Sequence, residues 1–395
     1  MDREGHPQVA NTLGNYNPAF YANTALIWLS KALGLGNRVY RGFDEERKTF
    51  GKGDTINIRR PSTFTAASAP ATAADLNTTT VAITLDQWKE VKFKLSDKEM
   101  AYTGERIVQE HIAPAAYALA DNVDTALATL CAQVPHAVFG STAATVADIS
   151  SVRKELFDNK VPMRDESKLH FMIGGAEESD LNQIAAFSQH QGAASAGVST
   201  QMTGQLGQRY GLNFFANQNR PTITYAARTD DAGALTANAA LGATSIAVDG
   251  LGTSEVISAG TILTFDGTGE SYATAADVTM AAGAGTLTLT EGLRQAEDNN
   301  DTFAIPAAQD NDTHDLNLAF HSNFAGLAFA RLPDFAEYDN SLGAQVFSVQ
   351  DPVTGLAVRA RIYYVGNSSE MHVALDTLYG YKLLDGNLAC RYELD

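Results

Sequence analysis

A long amphipathic helix is predicted by residues 96–133, SDKEMAYTGERIVQEHIAPAAYALADNVDTALATLCAQ. Ser96 and Glu99 have the spacing of a capping box, in which a hydroxyl and a carboxylate satisfy the free N–H groups of a first helical turn. Pro114 interrupts the segment and should bend or break it, because proline removes one backbone hydrogen bond. From Thr103 onward the helix would be about 45 Å long at roughly 1.5 Å per residue. The apolar side chains recur at steps of three and four residues: Val108, Ile112, Ala115, Leu119, Val123, Ala126 and Leu130.

Three segments of alternating polar and apolar residues precede this helix and predict β-strands, at residues 54–60, 80–85 and 91–95. Between the first two lies the stretch from Ser62 to Thr79, which consists mostly of Ala, Thr, Ser and Pro. A long two-stranded arm with such a polar tip is marginally stable alone in water. We therefore expect the arm to find its partner surface on another chain, as in a protein that forms a lattice.

The composition is that of a globular protein that is not a dedicated nucleic-acid binder. The chain has 395 residues, enough for two or three domains, with 45% hydrophobic and 19% charged residues. Its net charge of −18 argues against such a binder, which should carry an excess of basic residues. It does not exclude a local basic face. Cys131 and Cys390 exclude a disulfide framework and are expected to be reduced, although one bridge between them stays open. The start of the chain lacks the pattern of a secretory signal and no apolar run is long enough for a bilayer, which predicts a soluble protein folded in a reducing cytoplasm.

Mixed helices and strands are predicted on both sides of a central region. After a polar segment at residues 1–20, expected to be extended, short helices are predicted at Asn23–Leu35, 145–160 and 177–187. A further helix is predicted from Leu318 to Leu332, because this run of small apolar residues ends at a proline. Strands are predicted at these positions: 169–173, 212–216, 346–349, 356–365, 371–384 and 388–392.

The composition changes at about Thr222. From there to Asp312 the chain has two basic and thirteen acidic residues, and the helical periodicity disappears. Short strands alternate with glycine turns, of which Asp266-Gly267 is the strongest signal. Such spacing predicts a small all-β domain, most simply a barrel, inserted into a protein of mixed α/β character. The strands of this domain are predicted at residues 245–248, 261–265, 271–274 and 286–289.

The sequence contains none of the common catalytic or cofactor motifs. A phosphate-binding loop, a zinc-binding H-E-x-x-H, a G-x-S-x-G elbow and a C-x-x-C pair are all missing, and no histidine has metal-ligand spacing to another histidine or to a cysteine. His321, in an apolar segment, is read as a core histidine. The acidic run at residues 266–270 lacks the alternation of a helix-loop-helix calcium site and is read as a hairpin turn. No cofactor and no metal are therefore expected.

Two pairs of adjacent carboxylates, Asp165-Glu166 and Glu177-Glu178, could perform acid–base chemistry if burial separated their pKa values. Nothing near them in sequence indicates a substrate pocket. The simpler interpretation is a solvated loop for the first pair and a solvated helix N-terminus for the second. The missing motifs shift the balance toward a structural role and away from an enzyme.

Positive charge concentrates on the predicted arm, at Arg59, Arg60, Lys89, Lys92 and Lys94. These residues could meet an acidic surface of a neighbouring subunit. Alternatively, they could keep a flat edge strand from aggregating, and the sequence favours neither interpretation over the other. The candidate residues for inter-subunit contact are Arg59, Arg60, Phe64, Trp88, Lys89 and Lys92.

These features in this order resemble the major capsid proteins of tailed phages with the Hong Kong 97-type fold, and most closely the coat protein of short-tailed Salmonella phages. The likeness covers most of the chain, and its signal is the ordered set rather than any one motif. The residues that carry it are Asn23–Leu29, Gly53–Pro61, Pro114–Leu127 with Leu119–Asp124, Leu318–His321 and Leu375–Gly380.

The resemblance implies an α+β fold with a capsid architecture: an N-terminal arm, an extended β-hairpin loop, a long spine helix, and peripheral and axial domains. It also places an inserted barrel-like domain where the Salmonella-type coat carries one. The implied domains are an N-terminal arm at 1–49, the extended loop at 50–95, the peripheral spine helix at 96–139, the axial domain at 140–221 and 313–345, the inserted β-domain at 222–312, and C-terminal strands shared by both domains at 346–395.

The function that the resemblance implies is self-assembly into hexamers and pentamers of an icosahedral shell around phage double-stranded DNA. The implied partners are other copies of the chain, a scaffolding protein, the portal protein, a decoration protein in some phages, and packaged DNA through non-specific contacts, with no membrane. Assembly in the host bacterial cytoplasm and a final place in the virion capsid follow. An encapsulin-like shell protein is the alternative within the fold, and a secreted β-rich hydrolase or adhesin is the alternative outside it.

Overall fold

The computed structural model describes residues 18–41, 55–60, 69, 79–140, 143–188, 200, 202–333, 344–351 and 355–394. The α-helices in this part of the chain are α1 (Pro18–Ala32), α2 (Asp97–Ala128), α3 (Val146–Asp158), α4 (Gly175–Gln183) and α5 (Ala185–Ser188). The first strands are β1 (Thr55–Arg60), β2 (Thr79–Thr84), β3 (Gln87–Ser96), β4 (Ala137–Phe139), β5 (Leu169–Ile173), β6 (Gln208–Arg209) and β7 (Leu212–Ala216). They are followed by β8 (Thr222–Thr224), β9 (Ala232–Leu235), β10 (Ser245–Asp249), β11 (Val256–Ile257), β12 (Ile262–Phe265), β13 (Ser271–Ala273), β14 (Val278–Thr279), β15 (Gly285–Thr288) and β16 (Thr302–Ala304). The last strands are β17 (Thr313–His321), β18 (Ala325–Ala330), β19 (Ala344–Gln350), β20 (Ala357–Val365), β21 (Glu370–Leu383) and β22 (Ala389–Leu394).

This mixture of helices and strands confirms the predicted α+β class. The chain divides into two compact units. The first combines Met1–Leu33, Arg41–Val123 and Leu327–Tyr381. The second combines Gly34–Tyr40, Asp124–Gly326 and Lys382–Asp395.

The first unit contains a five-stranded sheet with β21 at its centre. β21 pairs antiparallel with β20 from Arg359 to Val365, and with all ten residues of β3. Helix α2 lies against one face of the sheet, where Tyr379 of β21 donates a hydrogen bond to Asn122 of α2 at 2.9 Å and Phe93 of β3 contacts His111 of α2 edge to face. The strands β1 and β2 pair only with each other in the described part of the chain, over six residues, and form the predicted two-stranded arm.

The long helix is confirmed, with shifted ends. Helix α2 begins at Asp97, directly after Ser96, and is followed by a turn of 3-10 helix at Thr129–Gln133. Pro114 lies inside it. Helix α1 begins at Pro18 rather than at Asn23, because proline fits the first helical position, where no N–H partner is needed.

The helix predicted from Leu318 to Leu332 is wrong. Strands β17 and β18 occupy this segment, joined by a turn of 3-10 helix at Ser322–Phe324. All six residues of β18 are buried, as are the last six of β17. A strand buried on both faces reads as a continuous apolar run, so the alternation that identifies a half-exposed strand is missing.

The second unit contains a seven-stranded mixed sheet in the order β4-β22-β17-β5-β7-β6, with β8 also paired to β17. Helix α3 packs its buried side chains Ile149, Val152 and Leu156 into the core of this sheet, together with Phe171 and Leu212. Thr145 caps α3 through a reciprocal pair of hydrogen bonds with Asp148, as a capping box requires.

The inserted region is a closed β-barrel, which confirms the predicted barrel-like domain. Six strands pair in the order β13-β12-β16-β9-β10-β15. A bridge between Thr274 and Leu289 then joins the two end strands, supported by a hydrogen bond from Ala275 N to Thr288 O at 2.7 Å. The chain enters the barrel from β8 and leaves it through the start of β17, and these two strands are paired antiparallel. The barrel interior is filled by Leu235, Ile246, Val248, Leu263, Phe265, Tyr272, Leu287, Leu289 and Phe303.

Candidate subunit interface

Strand β3 presents two different faces. Trp88, Glu90, Lys92 and Lys94 are exposed in alternation, whereas the residues between them are at least half-buried and Leu95 is fully buried. The alternation follows from the two-residue period of a strand, since α2 covers only one face of the sheet. The other face of β3 is therefore a surface of aromatic and charged side chains.

The buried carboxylate of Asp376 binds several side chains of this surface. Asp376 of β21 is 0% exposed and accepts two hydrogen bonds from Arg359 of β20, from Nε at 3.1 Å and from Nη2 at 2.5 Å. Arg361 lies 3.4 Å from the same carboxylate and also pairs with Glu90 at 2.7 Å. The indole N–H of Trp88 donates to Asp376 Oδ2 at 3.1 Å. Three side chains, from the two strands that flank β21, thus converge on one buried carboxylate.

The Trp88 side chain is held in a fixed position although it is exposed. Its side chain is 58% exposed, although its N–H group is bound to Asp376. The guanidinium carbon of Arg359 lies 5.8 Å from the centre of the indole ring, within the range of a cation–π contact. The ring is therefore held in place at the surface.

The lysines of β3 lie on the five-stranded sheet, and placing them on the arm was wrong. Lys92 Nζ lies 5.0 Å from the centre of the Tyr363 ring, and Lys94 Nζ lies 2.5 Å from Glu370 Oε1. This contact with Lys94 holds the pKa of Glu370 below its usual value. Lys89 is half-buried on the opposite face of the strand. The pairing of β3 with β21 moves these residues away from the β1–β2 ribbon.

The arm carries two of the other candidates. Arg59 and Arg60 end β1, where they pair with Thr80 and Thr79 of β2. Phe64 lies outside the described residues. The structure thus brings Trp88, Lys89 and Lys92 together on one strand and leaves Arg59 and Arg60 on another sheet.

An apolar groove of about 340 Å³ runs between β3 and α2. Val91 and Phe93 remain only half-buried, although they are on the face of β3 that α2 covers. The groove is lined by Val91, Phe93, Lys94, Leu95, His111, Pro114, Ala115 and Ala118.

The carboxylates considered for catalysis occupy different environments. Asp165 and Glu166 are exposed, as predicted. Glu177 is buried, so its assignment to a solvated helix end was wrong: it forms an ion pair with Arg220 and accepts a hydrogen bond from Asn317 at 3.2 Å. The burial follows from its position in the first turn of α4, directly after the buried strand β5. Its partners thus lie on the same chain.

The other candidates for chemistry are a buried histidine and a turn. His321 is buried, and this burial lowers its pKa. Residues 266–270 form the predicted hairpin turn between β12 and β13, closed by a hydrogen bond from Gly269 N to Phe265 O at 2.8 Å. Within the described ranges, no group of three or more His, Cys, Asp or Glu side chains is arranged to hold a metal ion. No helix there is both long and apolar enough to span a bilayer.

Comparisons with known proteins show similarity at the level of structure only. No family model matches the sequence, and no curated protein matches it. The chain is similar to a solved structure from Mycobacterium phage Che8, with 13% identity, a TM-score of 0.49, and coverage of 91% of this chain and 90% of that one. It is also similar to the capsid structure of Cyanophage P-SCSP1u, with 10% identity, a TM-score of 0.45, and coverage of 88% and 85%. A third similar structure is the mature capsid of bacteriophage PhiM1, with 10% identity, a TM-score of 0.45, and coverage of 87% and 83%.

Proposed function

We propose that this protein is a structural shell subunit, the major capsid protein of a tailed double-stranded DNA phage with a Hong Kong 97-type fold. The observation that carries the proposal is strand β3, which presents a fixed, exposed Trp88 on one face and borders an open apolar groove with its other face. A surface of this kind suits a contact between subunits. The proposal assigns the chain no catalytic role.

Trp88 has the properties of an interface anchor. Tryptophan dominates many protein interfaces because a large, flat ring excludes water over a wide area. A ring that is already fixed before binding loses little conformational entropy when the partner arrives. The hydrogen bond to Asp376 supplies this fixation, so Trp88 is expected to contribute to assembly more than to folding.

The groove and the β1–β2 ribbon are further surfaces that assembly would cover. Half-exposed Val91 and Phe93 leave apolar surface beside β3, which assembly would remove from water. The β1–β2 ribbon is short and two-stranded, and such ribbons need a supporting surface. We propose that the extended loop at 50–95 reaches over a neighbouring subunit, with Arg59, Arg60 and Phe64 among its contacts.

The remaining assignments follow from the same proposal. The chain would form hexamers and pentamers, because many weak identical contacts close a shell and allow correction of errors. The arm, peripheral, axial and inserted domains would have the boundaries predicted from the sequence. A scaffolding protein, a portal protein and non-specific contacts to packaged DNA would accompany assembly in the host cytoplasm. No specific observation in the structure favours the encapsulin-like shell protein or the secreted β-rich hydrolase or adhesin.

Electron microscopy tests the proposal directly. The chain is expressed alone and together with its neighbouring genes, and each preparation is examined by negative stain. We expect closed shells or curved sheets of hexamers in at least one preparation. A monodisperse monomer in both, with no assembly on concentration, would contradict the capsid function.

A pair of variants tests the anchor. Trp88→Ala should remain folded and assemble at least tenfold more slowly, since truncating a central aromatic anchor typically costs about 2 kcal/mol or more. Phe157→Ala is the matched control, because this ring on α3 is also exposed. Equal assembly of both variants would exclude Trp88 as an anchor without excluding the shell itself.

A further inference from the structure

A closed ring of polar contacts joins the inserted barrel to the seven-stranded sheet. We call it the junction ring. It runs through Ile262, Gln309, Tyr225, Glu393, Arg391 and Gly260.

On the sheet side, the ring begins with Arg391 of β22. Its guanidinium is fully buried, donates from Nη2 to the carbonyl oxygen of Gly260 at 2.9 Å, and lies 3.2 Å from Glu393 Oε1. Gly260 has a φ of +85°, and a Cβ there would lie 2.6 Å from the side chain of Ile223. The positive φ and the contact with Ile223 both favour glycine at this position.

On the barrel side, the ring uses both segments that connect the barrel to the sheet. Tyr225, in the entering segment, donates its hydroxyl to Glu393 Oε2 at 3.0 Å. Gln309, in the leaving segment, donates to the Tyr225 hydroxyl at 2.8 Å and accepts a hydrogen bond from Ile262 N of β12 at 2.9 Å. The path thus returns through β12 to Gly260.

The ring is sealed from water. Tyr225, Gln309, Arg391 and Glu393 are each at most 2% exposed. Burial raises the pKa of Tyr225, so its hydroxyl stays protonated and remains a donor. The ring of His314 stands perpendicular to that of Tyr225 at 5.5 Å, and its Nδ1 lies 3.3 Å from Glu393 Oε2.

Two further contacts tie the barrel to the same sheet unit. Thr290 donates its hydroxyl to the carbonyl oxygen of Gln133 at 3.2 Å. Gly386 N donates to Glu291 Oε1 at 3.1 Å. Both contacts lie outside the ring, so the barrel is restrained at more than one place.

We propose that the junction ring makes the barrel and the seven-stranded sheet a single cooperative unit, so that the barrel is not an independently opening appendage. Moving the barrel away would take the Gly260 carbonyl from Arg391 and the Tyr225 hydroxyl from Glu393, in a site where all four side chains of the ring are buried. A buried charged group that loses a polar partner is strongly destabilising. The barrel therefore opens only when the sheet opens too.

Hydrogen exchange on the full chain tests this coupling, with amides of β12 and β16 reporting on the barrel and amides of β5 and β17 on the sheet. In the unmodified protein we expect the slowest amides of both groups to exchange at matching rates and with the same dependence on denaturant. Tyr225→Phe removes the hydroxyl that links Gln309 to Glu393 and keeps the ring volume. It should accelerate exchange in the barrel about tenfold or more relative to the sheet.

Tyr272→Phe is the matched control. Tyr272 is a buried tyrosine inside the barrel whose hydroxyl accepts a hydrogen bond from Arg294 N at 2.9 Å and has no part in the ring. With the ring intact, this variant should accelerate barrel and sheet amides by the same factor. If Tyr225→Phe is not recovered folded, Gln309→Met removes the same link and is measured in its place.

Two results would overturn the proposal. One is a barrel that exchanges more than tenfold faster than the sheet in the unmodified protein. The other is a Tyr225→Phe or Gln309→Met variant in which the ratio of the two rates is unchanged. Neither result depends on whether the chain assembles into a shell, so this inference and the proposed function fail separately.

Discussion

Trp88 Nε1 and Asp376 Oδ2 lie 3.1 Å apart, so a ring that is 58% exposed is bound to a carboxylate that is 0% exposed. The two residues are on adjacent strands, two register positions apart and on the same face, since Trp88 pairs with Leu378 and Asp376 pairs with Glu90. Arg359, on the third strand, binds the same carboxylate. Asp376 therefore binds Arg359 inside the sheet and also holds the Trp88 ring at its surface.

Asp376→Asn should destabilise the protein strongly. The substitution keeps the size of the side chain but leaves the buried guanidinium of Arg359 without its counter-charge. Breaking one partner of a buried pair typically costs about 3–5 kcal/mol of unfolding free energy. Urea denaturation followed by far-UV circular dichroism measures this difference.

Glu90→Gln is the control for this prediction. Glu90 also pairs with an arginine, Arg361, but it lies at the exposed edge of the sheet. An exposed pair contributes about 1 kcal/mol or less. If the two variants lost equal stability, the buried carboxylate would have no special role in the sheet.

Gly380→Ala should also destabilise the first unit. A Cβ at this position would overlap with the carbonyl oxygen of Thr84 and come within 3.1 Å of the Cα of Leu85. Backbone atoms cannot rotate away as a side chain can, so the strands must shift, at a typical cost of about 1–3 kcal/mol. Gly366→Ala is the control because nothing lies within 4 Å of its Cβ position. A thermal unfolding temperature that falls for both variants alike would contradict this packing.

Local patterns in the sequence predicted many of the elements. The stripe and the first turn of residues 96–133 predicted α2, and alternation predicted β1, β2 and β3 before it. Both signals come from side chains that face one apolar surface and one polar surface. The barrel was predicted for the same reason, from short strands separated by glycine turns.

Contacts between distant residues could not be predicted in this way. Asp124, on α2, accepts hydrogen bonds from the backbone N–H groups of Gly34, Leu35 and Gly36, at 2.5, 3.1 and 2.8 Å. Asp376 and Trp88 are likewise 288 residues apart. A buried carboxylate has no periodic signature in sequence, since a single acidic residue in a strand or helix reads as exposed. Trp88 and Lys92 of the candidate surface were named from the sequence, whereas the buried carboxylate of Asp376 was not.

Both cysteines should be unreactive in the folded protein. Cys131 and Cys390 are buried free thiols, and burial raises the pKa of Cys131 to about 12 and that of Cys390 well above its usual value. Because only the thiolate reacts, labelling with Ellman's reagent at pH 8 should proceed only as fast as the protein opens. Two thiols per chain should react at once in denaturant. A thiol that reacts within seconds under native conditions would contradict the structure.

Stability should decrease as the pH falls from about 6.5 to 4, partly because of His170. Burial, followed by the charge of Arg38 and the nearby His321, lowers the pKa of His170 from 6.5 to about 4. In this window the unfolded chain binds a proton at His170 and the folded protein does not, so the free energy of unfolding decreases as the pH falls. Below about pH 4 His170 is protonated in both states, so it causes no further loss of stability.

His170→Gln tests this contribution because glutamine stays neutral at every pH. The slope of unfolding free energy against pH, measured by urea denaturation at several pH values, should fall by up to about one proton between pH 6.5 and 4. His111→Gln is the control, since it removes a histidine that is exposed on α2. The Phe215 and Phe320 rings that contact His170, at 6.5 and 5.5 Å between ring centres, keep the imidazole in an apolar setting. If the His170→Gln variant had the same slope as the unmodified protein, that setting would not hold His170 neutral, and the acid sensitivity would have to come from His321 or from carboxylates instead.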